Sequence, residues 1–288
     1  MAETIWEVSS AGAAPIRVEA EVVRNVSEGP SSWRLVLRVP GWPGFQPGQF
    51  AMIAPGAQLA VPRTDPLLPR PMAVYRSEAG DSGAEVEILY KLVGRGTALL
   101  AEALPGQRVA IVGPLGQAFP PPQSGERVII VAGGTGIASV YELAAQLAGA
   151  HPVEVLFGAR TASDLMALED FEALEISLRV ATEDGSAGVC GRVTDLLESA
   201  FEAPAGGADL QGSGRRVYVC GPTAMMRRCA EIAFQREVPC IVALENTMAC
   251  GFGVCLGCAA PLKRGGYALV CRDGPAFDAA EIDWERLP

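Results

Sequence analysis

Cys250, Cys255, Cys258 and Cys271 follow the spacing C-x4-C-x2-C-x12-C, and this cluster constrains the fold more than any other feature of the 288 residues. Three of the four share one glycine-rich loop, CGFGVCLGC, and the fourth arrives alone. The spacing of the first three cysteines matches the plant-type 2Fe-2S pattern, in which four thiolates hold two irons. Gly251, Gly253 and Gly257 let backbone N–H groups turn toward sulfur at little steric cost. A structural zinc site is the alternative reading, but such sites pair two close C-x2-4-C knuckles, and this chain has a single loop instead.

The segment around these cysteines, 245–288, is rich in Cys and Gly and has little apolar periodicity. Packing alone cannot hold it, so a metal centre is expected to. The N-terminal MAETIWEVSS has neither the basic nor the apolar region of an export signal, and no apolar run reaches the roughly 18–20 residues that span a bilayer. The expectation is a cytoplasmic protein away from membranes, where clustered cysteines bind metal. Cys190, Cys220, Cys229 and Cys240 read as buried small hydrophobes. The formal net charge of -10, with basic residues scattered singly or in pairs, argues against a nucleic-acid surface.

Ahead of the cluster the rhythm of the chain changes once. From residue 16 to about 118, short β-rich runs such as IRVEAEVVRNV, SWRLVLRVP and EVEILYKLV are separated by Pro and Gly, which predicts an antiparallel β-barrel. FPPPQSGE at 119–126 cannot continue a strand ladder and reads as a linker. After it, RVIIVA, VEVLFGAR, ISLRVAT and RRVYVCGP each precede a helical stretch, and CIVALE closes the series. That alternation predicts an α/β unit with a parallel sheet, whose ligands belong at the carboxyl ends of the strands. The expected division is therefore a β-barrel over 1–122, an α/β nucleotide domain over 123–244 and a small cluster domain over 245–288.

Two sets of residues carry the expected nucleotide chemistry. Gly133, Gly134, Thr135 and Gly136 follow RVIIVA and open a helix, the context that a phosphate-binding turn requires, although Ser139 stands where G-x-G-x-x-G has its third glycine. Cys220, Gly221 and Pro222 end a second strand on the same edge, where a small thiol and a glycine let a flat nicotinamide approach the backbone. Glu183 and Asp184 end a third strand; carboxylates there accept hydrogen bonds from ribose hydroxyls and repel a 2'-phosphate, favouring NAD over NADP. In the barrel, Arg70, Pro71, Met72 and Ala73 begin a strand where an arginine can pair with a flavin pyrophosphate. Leu89, Tyr90 and Lys91, followed by Gly96 and Thr97, form a second strand and a glycine-rich helix start.

These motifs, in this order, resemble the ferredoxin-reductase-like flavoproteins, and within them the electron-transfer subunits of two-subunit, NAD-dependent dihydroorotate dehydrogenases. The likeness runs from PGQF at 47–50 through DPLLPRPMAVY, YKLVGRGT, VAGGTGIAS and ATEDGSAGVCGRVTDLL to MACGFGVCLGC. It implies FAD along Arg70–Ala73, Leu89–Lys91 and Gly96–Thr97, NAD on the second unit, and a 2Fe-2S cluster on the four cysteines. It also implies a partner, an FMN-containing catalytic subunit that oxidises dihydroorotate in pyrimidine biosynthesis, with two copies of each chain. Family members carry Ser or Thr at Ala73, so the resemblance implies a shifted flavin potential or slower hydride transfer here. The sole histidine, His151, falls in a helix-to-strand loop without a nucleophile–base constellation, which leaves substrate chemistry to the partner. Two alternatives stand beside this: the same module serving a sulfide dehydrogenase or ferredoxin-dependent transhydrogenase, and a non-catalytic assembly subunit with a zinc-stabilised tail.

Overall fold

The computed structural model describes residues 14–58, 65–202 and 214–287. The segment MAETIWEVSS, on which the export reading was based, lies outside them. Seven strands form the first sheet: β1 Ile16–Ser27, β2 Ser32–Val39, β3 Phe50–Ile53, β4 Arg70–Ala73, β5 Arg76–Glu78, β6 Ala84–Lys91 and β7 Arg108–Leu115. Their order is β4-β3-β7-β1-β2-β6-β5, with every pairing antiparallel. In β1, apolar Val18, Ala20 and Val22 alternate with Arg17, Glu19 and Glu21, which gives one inward and one outward face.

The two edge strands, β4 and β5, are separated in sequence by Val74 and Tyr75 alone. Two residues reach only about 7 Å when extended. The sheet must therefore curl until its edges nearly meet, and the Tyr75 N–H donates to the Glu87 carbonyl on β6 at 2.9 Å. Helix α1, Arg95–Ala101, follows β6 at the mouth of this curl.

The second sheet contains β8 Arg127–Gly133, β9 Val153–Ala159, β10 Ser177–Thr182, β11 Val189–Cys190, β12 Arg215–Cys220 and β13 Cys240–Ala243. They run parallel in the order β11-β10-β9-β8-β12-β13. Central β8 is an unbroken apolar run because helices cover both of its faces. The helices are α2 Ile137–Leu147, α3 Leu168–Glu172, α4 Val193–Glu202 and α5 Thr223–Gln235. After β9, where a helical stretch was expected, the chain makes a 3-10 turn at Ala162–Asp164 and then only the five-residue α3.

The last segment forms the hairpin β14 Ala259–Pro261 with β15 Tyr267–Leu269, a short helix α6 Val270–Asp273, and β16 Ala276–Asp278. β16 adds to β13 antiparallel, extending the parallel sheet by a strand that the sequence did not announce. The cluster segment is thus bolted to the nucleotide unit by main-chain hydrogen bonds. It also touches the barrel, where the Gln117 N–H donates to the Gly274 carbonyl at 2.6 Å. Among the described residues, no helix is long and apolar enough to cross a membrane.

Candidate cofactor sites

The expected site residues gather at two cavities and one cysteine loop. The first is a cavity of about 530 Å³ between the barrel and the nucleotide unit. Arg70, Pro71, Met72, Ala73, Leu89, Tyr90, Lys91 and Thr97 line it, all of them expected for a flavin. Gly96, also expected, does not line the cavity. A Cβ built on it would stand 2.7 Å from the Arg70 guanidinium, so its missing side chain is what lets that cation lie where it does. Thr97 Oγ1 accepts from the Val93 and Gly94 N–H groups and fixes the turn before α1.

The far wall of this cavity comes from elements that sequence reasoning did not assign to it: Thr135 in the turn before α2, Ala138 and Ser139 in its first turn, and the stretch from Ala243 to Met248. Cys220, expected beside the nicotinamide, opens into this first cavity. It is 1% exposed, and burial pushes its thiol up to about 12, so it presents a small neutral group.

A second cavity, of about 620 Å³, is lined by Gly133, Gly134, Thr135, Glu183, Gly221 and Pro222 from the expected nicotinamide set. Gly133 and Gly221 end the neighbouring strands β8 and β12, and a Cβ on Gly221 would sit 3.0 Å from the Gly133 nitrogen. Side chains there would close the floor. Two expected residues are elsewhere. Gly136 packs against the end of β12, and Asp184 turns back to accept from the Ser186 N–H at 3.0 Å and its hydroxyl at 2.6 Å. Those bonds hold the Asp184 carboxyl below its ordinary range and occupy it in the turn.

Lys91, Thr135 and Glu245 line both cavities. Glu245 is exposed at the surface that the two cavities share, and desolvation by the protein around its carboxyl raises that group's pKa. Nothing in the sequence marked it, because a carboxylate three residues before a Met-x-Cys run has no motif of its own.

The third site is the cysteine loop. Cys258 and Cys271 are buried with their sulfurs 3.2 Å apart, and the Gly253 N–H donates to Cys271 Sγ at 3.1 Å. Burial and the adjacent Cys258 push the Cys271 thiol up to about 12. Burial acts the same way on Cys250, but N–H groups of Cys255, Phe252 and Val254 outweigh it and bring that thiol down to about 6. The loop bends through positive φ at Gly251, Gly253 and Leu256, and Cys255 is exposed at its tip.

Cys258 with Cys271, and Cys250 with Cys255, stand as two pairs, which is the donor set a two-iron cluster takes. Cys220, Cys229 and Cys240 are buried as expected; Cys190 is exposed, because it sits on the two-residue edge strand β11.

Comparison with known proteins agrees with this layout. Residues 245–283 match the family model of the iron-sulfur cluster binding domain of dihydroorotate dehydrogenase B, and residues 130–231 match an oxidoreductase NAD-binding domain. The chain is 39% identical over 246 residues to the dihydroorotate dehydrogenase B (NAD(+)) electron transfer subunit of Bacillus caldolyticus, covering 82% of this chain and 86% of that one. The subunit of the same name from Desulforamulus reducens is 33% identical over 243 residues, covering 83% and 87%. Among solved structures, an NADH-dependent reduced ferredoxin-NADP oxidoreductase superimposes with a TM-score of 0.78 at 29% identity, over 93% of this chain and 91% of that one. A ferredoxin NADP+ reductase from Neisseria gonorrhoeae shares the fold at a TM-score of 0.62 and 17% identity, over 76% and 91%. Its three sites, its fold and its relatives together make this chain a member of the dihydroorotate dehydrogenase B electron transfer subunit family.

Proposed function

We propose that the chain takes electrons released from dihydroorotate in an FMN-bearing catalytic subunit and delivers them to NAD+, as part of a cytoplasmic hetero-oligomer with two copies of each chain. The observation that carries this is the adjacency of the sites. The segment from Ala243 to Met248 walls the first cavity and runs directly into Cys250, and Glu245 faces the second cavity as well. Bound together, FAD, NAD and a 2Fe-2S cluster supply the exchange between hydride and single electrons that such a path needs.

The chain's own residues divide the work. Arg70 supplies a cation for the flavin pyrophosphate, and Met72, Ala73 and Leu89 give apolar wall to the ring. The Gly133 and Gly221 strand ends leave room for the dinucleotide, and Glu183 stands where ribose hydroxyls would meet it. Around the exposed Cys255, Phe252, Val254 and Leu256 are 55%, 75% and 63% exposed, an uncharged face suited to docking the partner. The test is NADH formation from dihydroorotate after mixing the purified protein with an FMN-bearing catalytic subunit. Formation only when both are present is expected; no formation while NADH still reduces dyes would remove dihydroorotate from the assignment.

Gly96→Ala checks the flavin residues. The helix start accepts alanine, so the melting temperature is expected to hold, but the new methyl displaces the Arg70 guanidinium. A charge-assisted hydrogen bond is worth about 1.5–3 kcal/mol, so FAD affinity should fall on the order of 10-fold or more in titrations of deflavinated protein. Unchanged affinity would take Arg70 away from the flavin.

One observation favours a second reading. The superposition on the NADH-dependent reduced ferredoxin-NADP oxidoreductase covers nearly the whole chain, so the same module could serve a ferredoxin-dependent transhydrogenase.

A further inference from the structure

Two carboxylates on one stretch of the nucleotide unit fasten it to the barrel. The connection from β9 into α3 carries Asp164 and Asp170. Asp170 accepts from Arg34 Nη2 at 2.7 Å, from the Tyr75 hydroxyl at 2.9 Å and from Arg76 Nη1 at 3.4 Å. Lys91 Nζ donates to Asp164 at 2.8 Å. The donors stand on β2, the β4–β5 crossover, β5 and β6, so four parts of the barrel reach one short connection.

The assembly is closely packed. The Tyr75 ring is wholly buried, lies 4.4 Å from Tyr141 of α2, and is flanked by the guanidinium groups of Arg34 and Arg76 at 5.2 and 5.8 Å. Tyr141 in turn meets Phe171 of α3 edge-on at 5.2 Å. Arg34 also donates to Glu28, and to Glu87 at 2.7 Å. Burial by itself would raise the Asp170 pKa, but the bonds from Arg34 and Tyr75 outweigh it and lower the pKa.

A buried network of this kind adds little net stability over apolar side chains of the same volume; what it does well is specify a single arrangement. The arrangement here is the one between the two cavities. The strapped connection lends Arg160 and Asp164 to the second cavity, Lys91 faces both, and α2 begins with the residues that wall the first. Elsewhere the two units meet along the linker, where the Phe119 N–H donates to the Pro47 carbonyl at 2.8 Å and the Tyr218 hydroxyl to the Pro120 carbonyl at 2.7 Å. Phe50, Met52 and Leu115 of the barrel also share a buried apolar cluster with the parallel sheet, and to this non-directional packing the carboxylate strap adds fixed, directional bonds.

We infer that Asp170, seconded by Asp164, is a positioning residue for hydride transfer, holding the nucleotide-binding wall against the flavin-binding barrel so that the two rings meet at reactive distance. The inference rests on the assignment of the two cavities to flavin and nicotinamide. Displacements of about 1 Å between reacting groups cost on the order of 100-fold in rate. The strap is therefore worth more to the rate than to the fold.

The test is anaerobic rapid mixing of the purified, FAD-loaded protein with NADH, following flavin bleaching per bound flavin. In Asp170→Asn the limiting rate of bleaching is expected to fall roughly 10- to 100-fold, while the NADH concentration at half-maximal rate stays near the wild-type value. Tyr75→Phe, which keeps the aromatic stack and two of the three donors, should show a smaller fall in the same parameter. Arg34→Met combined with Asp170→Asn should be no slower than Asp170→Asn alone, because both changes open the same strap. A wild-type limiting rate in Asp170→Asn overturns the inference, and if that variant does not fold, a wild-type rate in Tyr75→Phe overturns it equally. A wild-type protein that binds FAD yet is not bleached by NADH would instead overturn the cofactor assignment beneath it.

Discussion

Cys255→Ser is expected to abolish the iron-sulfur absorbance and partner-dependent NADH formation while leaving reduction of dyes by NADH. A serine hydroxyl is a hard donor that stays protonated at neutral pH, and cluster irons are held by thiolate. Loss of an outer-shell hydrogen bond at a metal site costs about 10- to 100-fold, and loss of a ligand should exceed that in the partner-dependent rate. Cys255 is exposed at the tip of its loop and lines neither of the two nucleotide cavities. The loop's anchorage is also independent of it, since β16 holds the segment to β13 and the Gln117 N–H holds it to the barrel. NADH-to-dye turnover and the metal content of the variant, measured on one preparation, separate the outcomes. Joint loss of both activities would mean that the cluster loop and the flavin cavity are one site rather than two.

The parts of this molecule that were legible in the sequence are those where chemistry forces spacing along the chain. Four thiolates around two irons need a short loop, so Cys250, Cys255 and Cys258 are close in sequence and Cys271 returns by a hairpin. Strands buried on both faces must be largely apolar, so β8 and β9 were visible as RVIIVA and VEVLFGA, whose one carboxylate, Glu154, is paired with Arg127. What sequence could not show is contact between residues remote along the chain. Arg34 and Asp170 are 136 residues apart and Tyr75 and Asp170 are 95 apart, and each alone reads as an ordinary charged or aromatic surface residue. β16 is three residues long and joins an edge that CIVALE had seemed to end. Asp184 faces its own turn for a physical reason: a carboxylate two residues before Ser in a Gly turn bonds the local backbone as readily as a ligand.

Gly136→Ala is expected to cost about 3 kcal/mol, the upper end of overpacking in a well-filled interior, and with it the nucleotide site. The three glycines of Gly133-Gly134-Thr135-Gly136 are required for different reasons, which the motif alone cannot distinguish. Gly134 has φ +55 and open space around it, so alanine there would pay a conformational cost of about 1–2 kcal/mol and meet no neighbour. At Gly133 a Cβ would come within 2.5 Å of the Met225 sulfur, a flexible neighbour that can yield. Gly136 has ordinary helical φ, yet a Cβ would stand 2.2 Å from the Cys220 carbonyl oxygen and 2.8 Å from the Gly221 nitrogen. Both are main-chain atoms at the end of β12, and they cannot move without parting β12 from β8 at the point where Cys220 and Gly221 face the cavities. At 2–4 °C per kcal/mol for a chain of this size, melting should drop by roughly 6–12 °C, with NADH binding lost in the folded fraction. In Gly134→Ala the fall should be smaller and NADH binding should persist. Equal effects at the two positions would show that the turn's conformation, and not the closeness of α2 to β12, is what builds the nucleotide cavity.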